Sequence, residues 1–204
     1  PRNFDHPYAA RTMTEFWRRW HITLGAWFRE YVYIPMGGSR QGMPRTILNL
    51  LVVWLLTGIW HGSTWNFLLW GLLIFLLIAL EKLGLGPLLE RHRVAARVYM
   101  LLAVPLSWLL FAVPDLGQIG IYLTRLFPFF GGGIAVNQRD FLHYGKQFVP
   151  FLAVCILLSS PWPERVWNRI RSSTVGTVVC FLLFWAAVYY MSVAVNDPFL
   201  YFSF

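Results

Sequence analysis

From Thr46 to Leu80 the chain runs for 35 residues without one Asp, Glu, Lys or Arg, and His61 is the only readily ionised side chain in the stretch. As a straight helix it would extend about 52 Å, against a hydrocarbon core of about 30 Å. The segment must therefore tilt strongly, bend or fold back. Gly58, His61, Gly62 and Ser63 cluster near its middle, and small or polar residues are where a helix inside a membrane can be interrupted. The break is expected there.

Composition points the same way: 57% of the 204 residues are hydrophobic and 13% charged, where an average globular domain is about a quarter charged. Too little polar coat remains for an ordinary soluble domain. The net charge of +8 sits in short clusters between apolar runs, which reads as membrane-flanking charge and not as a nucleic-acid surface. Cys155 and Cys180 lie inside apolar runs without a CxxC spacing and form no disulfide framework. With Pro1 first and no signal-like stretch, the chain is expected to be the C-terminal part of a larger protein.

Three further apolar runs follow, Val98 to Val113, Phe148 to Leu158 and Val175 to Val195. The middle one is short for a full span and is expected to tilt or re-enter. Lys82, Arg91, Arg93 and Arg97 lie in one connection and Arg165, Arg169 and Arg171 in another, which the positive-inside rule assigns to the cytoplasm. With one crossing per later run, Pro114 to Lys146 and the C-terminal tail fall outside. Because the first 45 residues are also basic, a fold-back of Thr46 to Leu80 keeps both its ends cytoplasmic. The expected fold is an all-α polytopic membrane protein with re-entrant and interfacial helices: residues 1–45 form an amphipathic helix and a Gly/Pro loop, and residues 46–204 the transmembrane part.

In the first region, a helical period between Phe16 and Tyr31 puts Trp17, Trp20, His21, Leu24, Trp27, Phe28 and Tyr31 on one face. That is the pattern of a helix lying at a membrane surface, with Arg reaching to headgroups or a partner. His21 within the stripe is either an interfacial histidine bonded to a neighbour or part of a site. The YIPMGGSRQGMP that follows is loop chemistry, and Gly37 and Gly38 offer a weak candidate phosphate cradle.

An ionisable residue at membrane depth is a functional hypothesis by default, which singles out His61. On a helix, Trp54, Thr57, Gly58, Thr64 and Trp65 share its face. An apolar setting favours the neutral imidazole, the state in which a general base takes a proton from a hydroxyl. The competing reading is a histidine donating one interhelical hydrogen bond. No second His or carboxylate stands at ligand spacing, which disfavours a metal site. Ser63 is not in a G-x-S-x-G turn, which disfavours a serine nucleophile. His6, His92 and His143 lie in polar connections and read as ordinary surface residues.

The strings TEFWRRWHITLGAWFREYVYIPMGGSR and NLLVVWLLTGIWHGSTWNFLLWGL closely resemble the membrane-bound O-acyltransferase (MBOAT) family. Within it they fit the bacterial branch that O-acetylates exported polysaccharides such as alginate, and the ending NDPFLYFSF is similar to that branch's C-terminus. The D-alanine branch of teichoic acid modification shares the histidines, but R-R-W-H and Y-I-P-M-G-G-S-R look more like the polysaccharide branch.

The resemblance implies an MBOAT-like helical bundle in a bacterial inner membrane. It implies that His61, in W-H-G, is the catalytic histidine and that His21, in R-R-W-H, is the second characteristic histidine. Trp54, Thr57 and Trp65 are then candidates to line the substrate site. The reaction implied is transfer of an acyl group, acetyl above all, from a thioester such as acetyl-CoA or an acyl carrier protein to a hydroxyl, with a periplasmic partner or polysaccharide as acceptor and no bound cofactor. Asn66, Ser63 or Trp indole N–H groups are candidate oxyanion donors. Arg18, Arg19, Arg29 and Arg40 are candidates for a donor phosphate, with lipid headgroups the competing partner for each.

Two other readings stand beside acetyl transfer. One changes only the cargo or acceptor, such as D-alanyl passing to a cell-wall polymer. The other is a transport or channel component with His61 as proton relay, against which the uncharged stretch argues. The 204 residues alone are expected to show low activity.

Overall fold

The computed structural model describes residues 2–126 and 138–193, and all regular structure among them is helical. Four helices, Gly42–His61, Trp65–Arg91, Arg93–Ala112 and Thr174–Val193, are long and apolar enough to cross a bilayer. Leu142–Leu158 and Trp162–Ile170 pass the same test only as a pair, bent by 66°. The chain is thus an all-α, multi-pass membrane protein that divides into two units, residues 1–145 and 146–204.

In the first unit the uncharged stretch forms α3 (Gly42–His61) and α4 (Trp65–Leu80), separated by a turn at residues 62–64 where the small residues stand. The two helices pack along each other as an antiparallel hairpin. A Cβ on Gly58 would lie 2.6 Å from the carbonyl oxygen of Phe67, and one on Gly71 2.4 Å from that of Trp54. The two pairs share one register, since each step back along α3 is a step forward along α4. Only glycine permits so close a backbone approach. Folding back therefore wins over tilting or bending. His61 ends a helix about 30 Å long, so it sits at the hairpin turn and not midway along a span.

The aromatic stripe does not form one helix. It is split into α1 (Met13–Arg19) and α2 (Ile22–Phe28), with His21 between them in the left-handed region at φ 49°. The cause is the segment upstream. Asn3 accepts the N–H groups of Ile22 through its carbonyl and of Thr23 through its side chain, both at 3.0 Å, and the Asp5 N–H donates to the Arg19 carbonyl at 2.9 Å. These bonds replace the helical ladder across the break. Trp17 and Trp20 turn inward, while Trp27 and Tyr31 remain exposed.

After α2 a single π-helical turn, Arg29–Tyr33, leads into the glycine loop. The Gly37 N–H donates to the Ile34 carbonyl and the Gly38 N–H to that of Tyr33, both at 2.9 Å. Both amides are used within the turn, which leaves neither free for the weakly signalled phosphate cradle. Buried Asn49 on α3 donates to the Met36 and Gly38 carbonyls at 3.2 and 2.9 Å and ties the loop to the hairpin.

Beyond α4 a π-helical turn (Glu81–Leu85) and α5 (Gly86–Arg91) lead into α6 (Arg93–Ala112). α6 packs on α4 in an antiparallel sense: Asn66 at the start of α4 bonds to Leu110 and Phe111, and Glu81 just beyond its end bonds to Tyr99. Residues read as a connection form α7 (Leu116–Leu126). The short apolar run becomes part of α8 (Gln138–Leu158), 21 residues long, because a helix continues through polar residues that a search for apolar runs leaves out.

In the second unit α9 (Trp162–Ile170) precedes α10 (Thr174–Val193), whose apolar side chains run all round the helix, as for one in a membrane. The string NDPFLYFSF and the C-terminal tail lie outside the described residues.

Candidate functional site

His61 ends up among aromatic rings because the hairpin turn brings the start of α4 and the end of α6 against the last turn of α3. Its ring meets Trp70 edge-on at 5.1 Å, Phe111 at 5.0 Å and Trp60 at 4.8 Å, and stacks on Phe67 at 6.2 Å. The imidazole is half-buried. His21 also meets Trp60, its ring edge-on at 6.2 Å from the indole. Two histidines 40 positions apart thus both lie against one tryptophan. Burial pushes the His21 pKa below the ordinary histidine value of 6.5.

Trp54 and Thr57 are buried in the hairpin, one turn or more back from the histidine. Trp54 packs on Trp17 and Trp70 at 5.0 and 6.1 Å, and the Thr57 hydroxyl donates to the Val53 carbonyl at 2.8 Å. Asn66 is fully buried, and its amide donates to the carbonyls of Leu110 and Phe111 at 3.2 and 3.1 Å, while its oxygen accepts the Thr64 hydroxyl at 2.5 Å. With its N–H groups on α6, Asn66 clamps the cage and is not poised toward an oxyanion. Ser63 is exposed in the turn, and Trp65 is 71% exposed.

The arginines separate into two groups. Arg18 and Arg19 line a polar cleft of about 730 Å³ with Arg11, Lys82, Arg97 and the carboxylates of Glu15, Glu81 and Glu90. Arg19 is paired there with Glu15 at 2.6 Å. Arg29 and Arg40 are exposed elsewhere, on the π-helical turn and the glycine loop. The cleft opens at the Glu81 end of α4, about 24 Å along that helix from the histidine turn. α1 leads from one to the other: Thr14 bonds to Glu81, and Trp17 packs on Trp70 at 5.5 Å.

Three groups central to this arrangement escape a reading of the sequence. Glu81 is 4% exposed and holds the start of α1; its one signal is that it is the first charge after 35 uncharged residues. Trp70 and Phe111 wall the histidine but look like any core aromatics. Asn3 caps α2 from outside the motif. Among the described residues no three His, Cys, Asp or Glu stand together as a metal site would require.

The model of the membrane-bound O-acyltransferase family matches residues 1–113. The chain is 30% identical to a probable alginate O-acetylase, AlgI, of Pseudomonas putida over 99% of its own length and 46% of that protein's. It is 31% identical to a peptidoglycan O-acetyltransferase of Helicobacter pylori over 74% of its length and 28% of that protein's. A teichoic acid D-alanyltransferase of Streptococcus thermophilus is 34% identical over 35% of this chain and 19% of its own. The chain spans less than half the length of these relatives.

Proposed function

Since this chain belongs to the membrane-bound O-acyltransferase family, we propose that it carries the histidine site of an O-acyltransferase in a bacterial inner membrane, one that moves an acetyl group from a thioester to a hydroxyl of an exported polysaccharide. The observation that carries this reading is the placing of half-buried His61 at a hairpin turn, ringed by Trp60, Phe67, Trp70 and Phe111, with His21 against the same Trp60. An imidazole held by apolar walls suits proton abstraction.

In the mechanism His61 takes the proton of the acceptor hydroxyl as that oxygen attacks the thioester carbonyl carbon. Collapse of the tetrahedral adduct breaks the C–S bond, and the leaving thiolate recovers the proton from the imidazolium. No acyl-enzyme is required. The cleft of Arg11, Arg18, Lys82 and Arg97 alongside α1 suits the phosphate-bearing end of an acetyl-CoA or carrier-protein donor. A periplasmic partner or the polymer itself then receives the acetyl group on the other side.

The test is labelled-acetate incorporation into secreted polysaccharide by cells expressing the intact protein with His61→Ala, with membrane abundance measured alongside. Loss of incorporation at unchanged abundance is expected; persistence sinks the reading. Similarity to the teichoic acid D-alanyltransferase favours one alternative cargo. Labelled D-alanine run in parallel distinguishes it.

A further inference from the structure

Two buried indole N–H groups lie in the aromatic cluster that holds His61, and neither Nε1 of Trp70 nor Nε1 of Trp17 finds an acceptor among the described residues. The two rings meet edge-on at 5.5 Å, and Trp70 is itself edge-on to His61 at 5.1 Å. Trp70 is fully buried. Leaving a buried donor unmade costs a fold about 1–3 kcal/mol, a cost phenylalanine would avoid at that position. The hydroxyl and amide groups on the neighbouring turns are committed elsewhere: the Thr57 hydroxyl to Val53, the Asn66 amide to Leu110 and Phe111, the Thr64 hydroxyl to Asn66. An indole nitrogen donates and cannot accept. What the site lacks is therefore an acceptor, beside a group that serves as base.

We propose that Trp70, with Trp17 next to it, donates its indole N–H to the carbonyl oxygen of the acyl thioester and holds the oxyanion that forms there. The proposal rests on the acyl-transfer reading of His61. As the acceptor oxygen bonds to the carbonyl carbon and its proton passes to His61, the carbonyl π electrons move onto oxygen, where the N–H···O bond strengthens. When C=O re-forms, the C–S bond breaks and the thiolate leaves with the proton from His61. A donor fixed among apolar rings lowers the barrier because it needs no reorganisation as the charge develops.

The experiment compares Trp70→Phe, Trp70→His and Trp17→Phe with His61→Ala in the intact protein. The readout is acetate incorporation per membrane-resident molecule. Trp70→Phe is expected to lower incorporation about 100-fold while abundance stays within about two-fold, because removing an orphaned donor costs the fold little. Trp70→His returns a ring N–H and is expected to recover part of the loss, and Trp17→Phe to give a smaller drop. A packing role reverses the order, since phenylalanine suits an apolar core better than histidine. That reversed order, or unchanged incorporation per molecule in Trp70→Phe, overturns the proposal. Incorporation surviving His61→Ala overturns the acyl-transfer reading instead, so the two failures are distinct.

Discussion

Thr14 and Glu81, 67 residues apart, are joined twice: the Thr14 N–H and hydroxyl both donate to Glu81 Oε2, at 2.9 and 2.6 Å. The other carboxylate oxygen accepts the Met13 N–H at 2.5 Å and the Tyr99 hydroxyl at 2.9 Å. A side chain just past the end of α4 thus satisfies two of the first N–H groups of α1 and sets a negative charge at its positive end. The course of α1 follows from this, and with it the placing of Trp17, Trp20 and His21 beside the hairpin turn.

Removing that carboxylate should loosen α1. Glu81→Ala leaves two backbone donors and the Thr14 hydroxyl without their acceptor in a buried setting, a loss of about 3 kcal/mol. A lower unfolding midpoint in detergent is expected, with Tyr99→Phe losing only about 1 kcal/mol. Equal midpoints for Glu81→Ala and the parent would show that Glu81 does not hold α1.

The hairpin depends on glycine at its two points of closest approach. Gly71→Ala puts a methyl group 2.4 Å from the Trp54 carbonyl oxygen, a backbone atom that cannot swing aside, and should destabilise by about 1–3 kcal/mol. Membrane abundance should fall, whereas Gly120→Ala, where a Cβ meets nothing within 4 Å, should leave it unchanged. Similar abundance for both variants would contradict the packing of α3 on α4.

Asn66 joins the start of α4 to the end of α6 and so holds Phe111 against His61. Asn66→Ala leaves the Leu110 and Phe111 carbonyls without that donor, at about 1–3 kcal/mol. Asn66→Asp should be worse, because it turns carboxylate oxygen toward those carbonyls. Thermal midpoints are expected in the order parent, Ala, Asp; an Asp variant as stable as the parent would rule out the clamp.

Burial lowers the His21 pKa below 6.5 in the folded protein, so the unfolded chain binds the proton more readily. The stability that neutral His21 contributes is present above about pH 6.5 and is lost as the pH falls below it. His21→Asn suits the left-handed backbone at that position and should flatten this part of the pH dependence. Unfolding midpoints of parent and variant between pH 7.5 and about 5 check it: parallel curves would show that His21 does not contribute to the acid side.

The absence of charge from Thr46 to Leu80 by itself determined that the chain enters a membrane and that its first long apolar stretch is interrupted. The break stands at residues 62–64, where the small residues lie, because an uncharged stretch too long for one span declares its own excess length. The W-H-G and R-R-W-H strings likewise carried the family, being local and contiguous. Tertiary structure alone decided that α3 and α4 pair, since a close approach belongs to two helix faces and shows in neither. It also decided that the aromatic stripe breaks at His21, through bonds from Asn3 that reach across 20 residues to Thr23. The roles of Asn66 and Glu81 as clamps were hidden for the same reason. Periodicity reports one helix at a time, and a hydrogen bond supplied from a distant segment leaves no trace in the spacing of either.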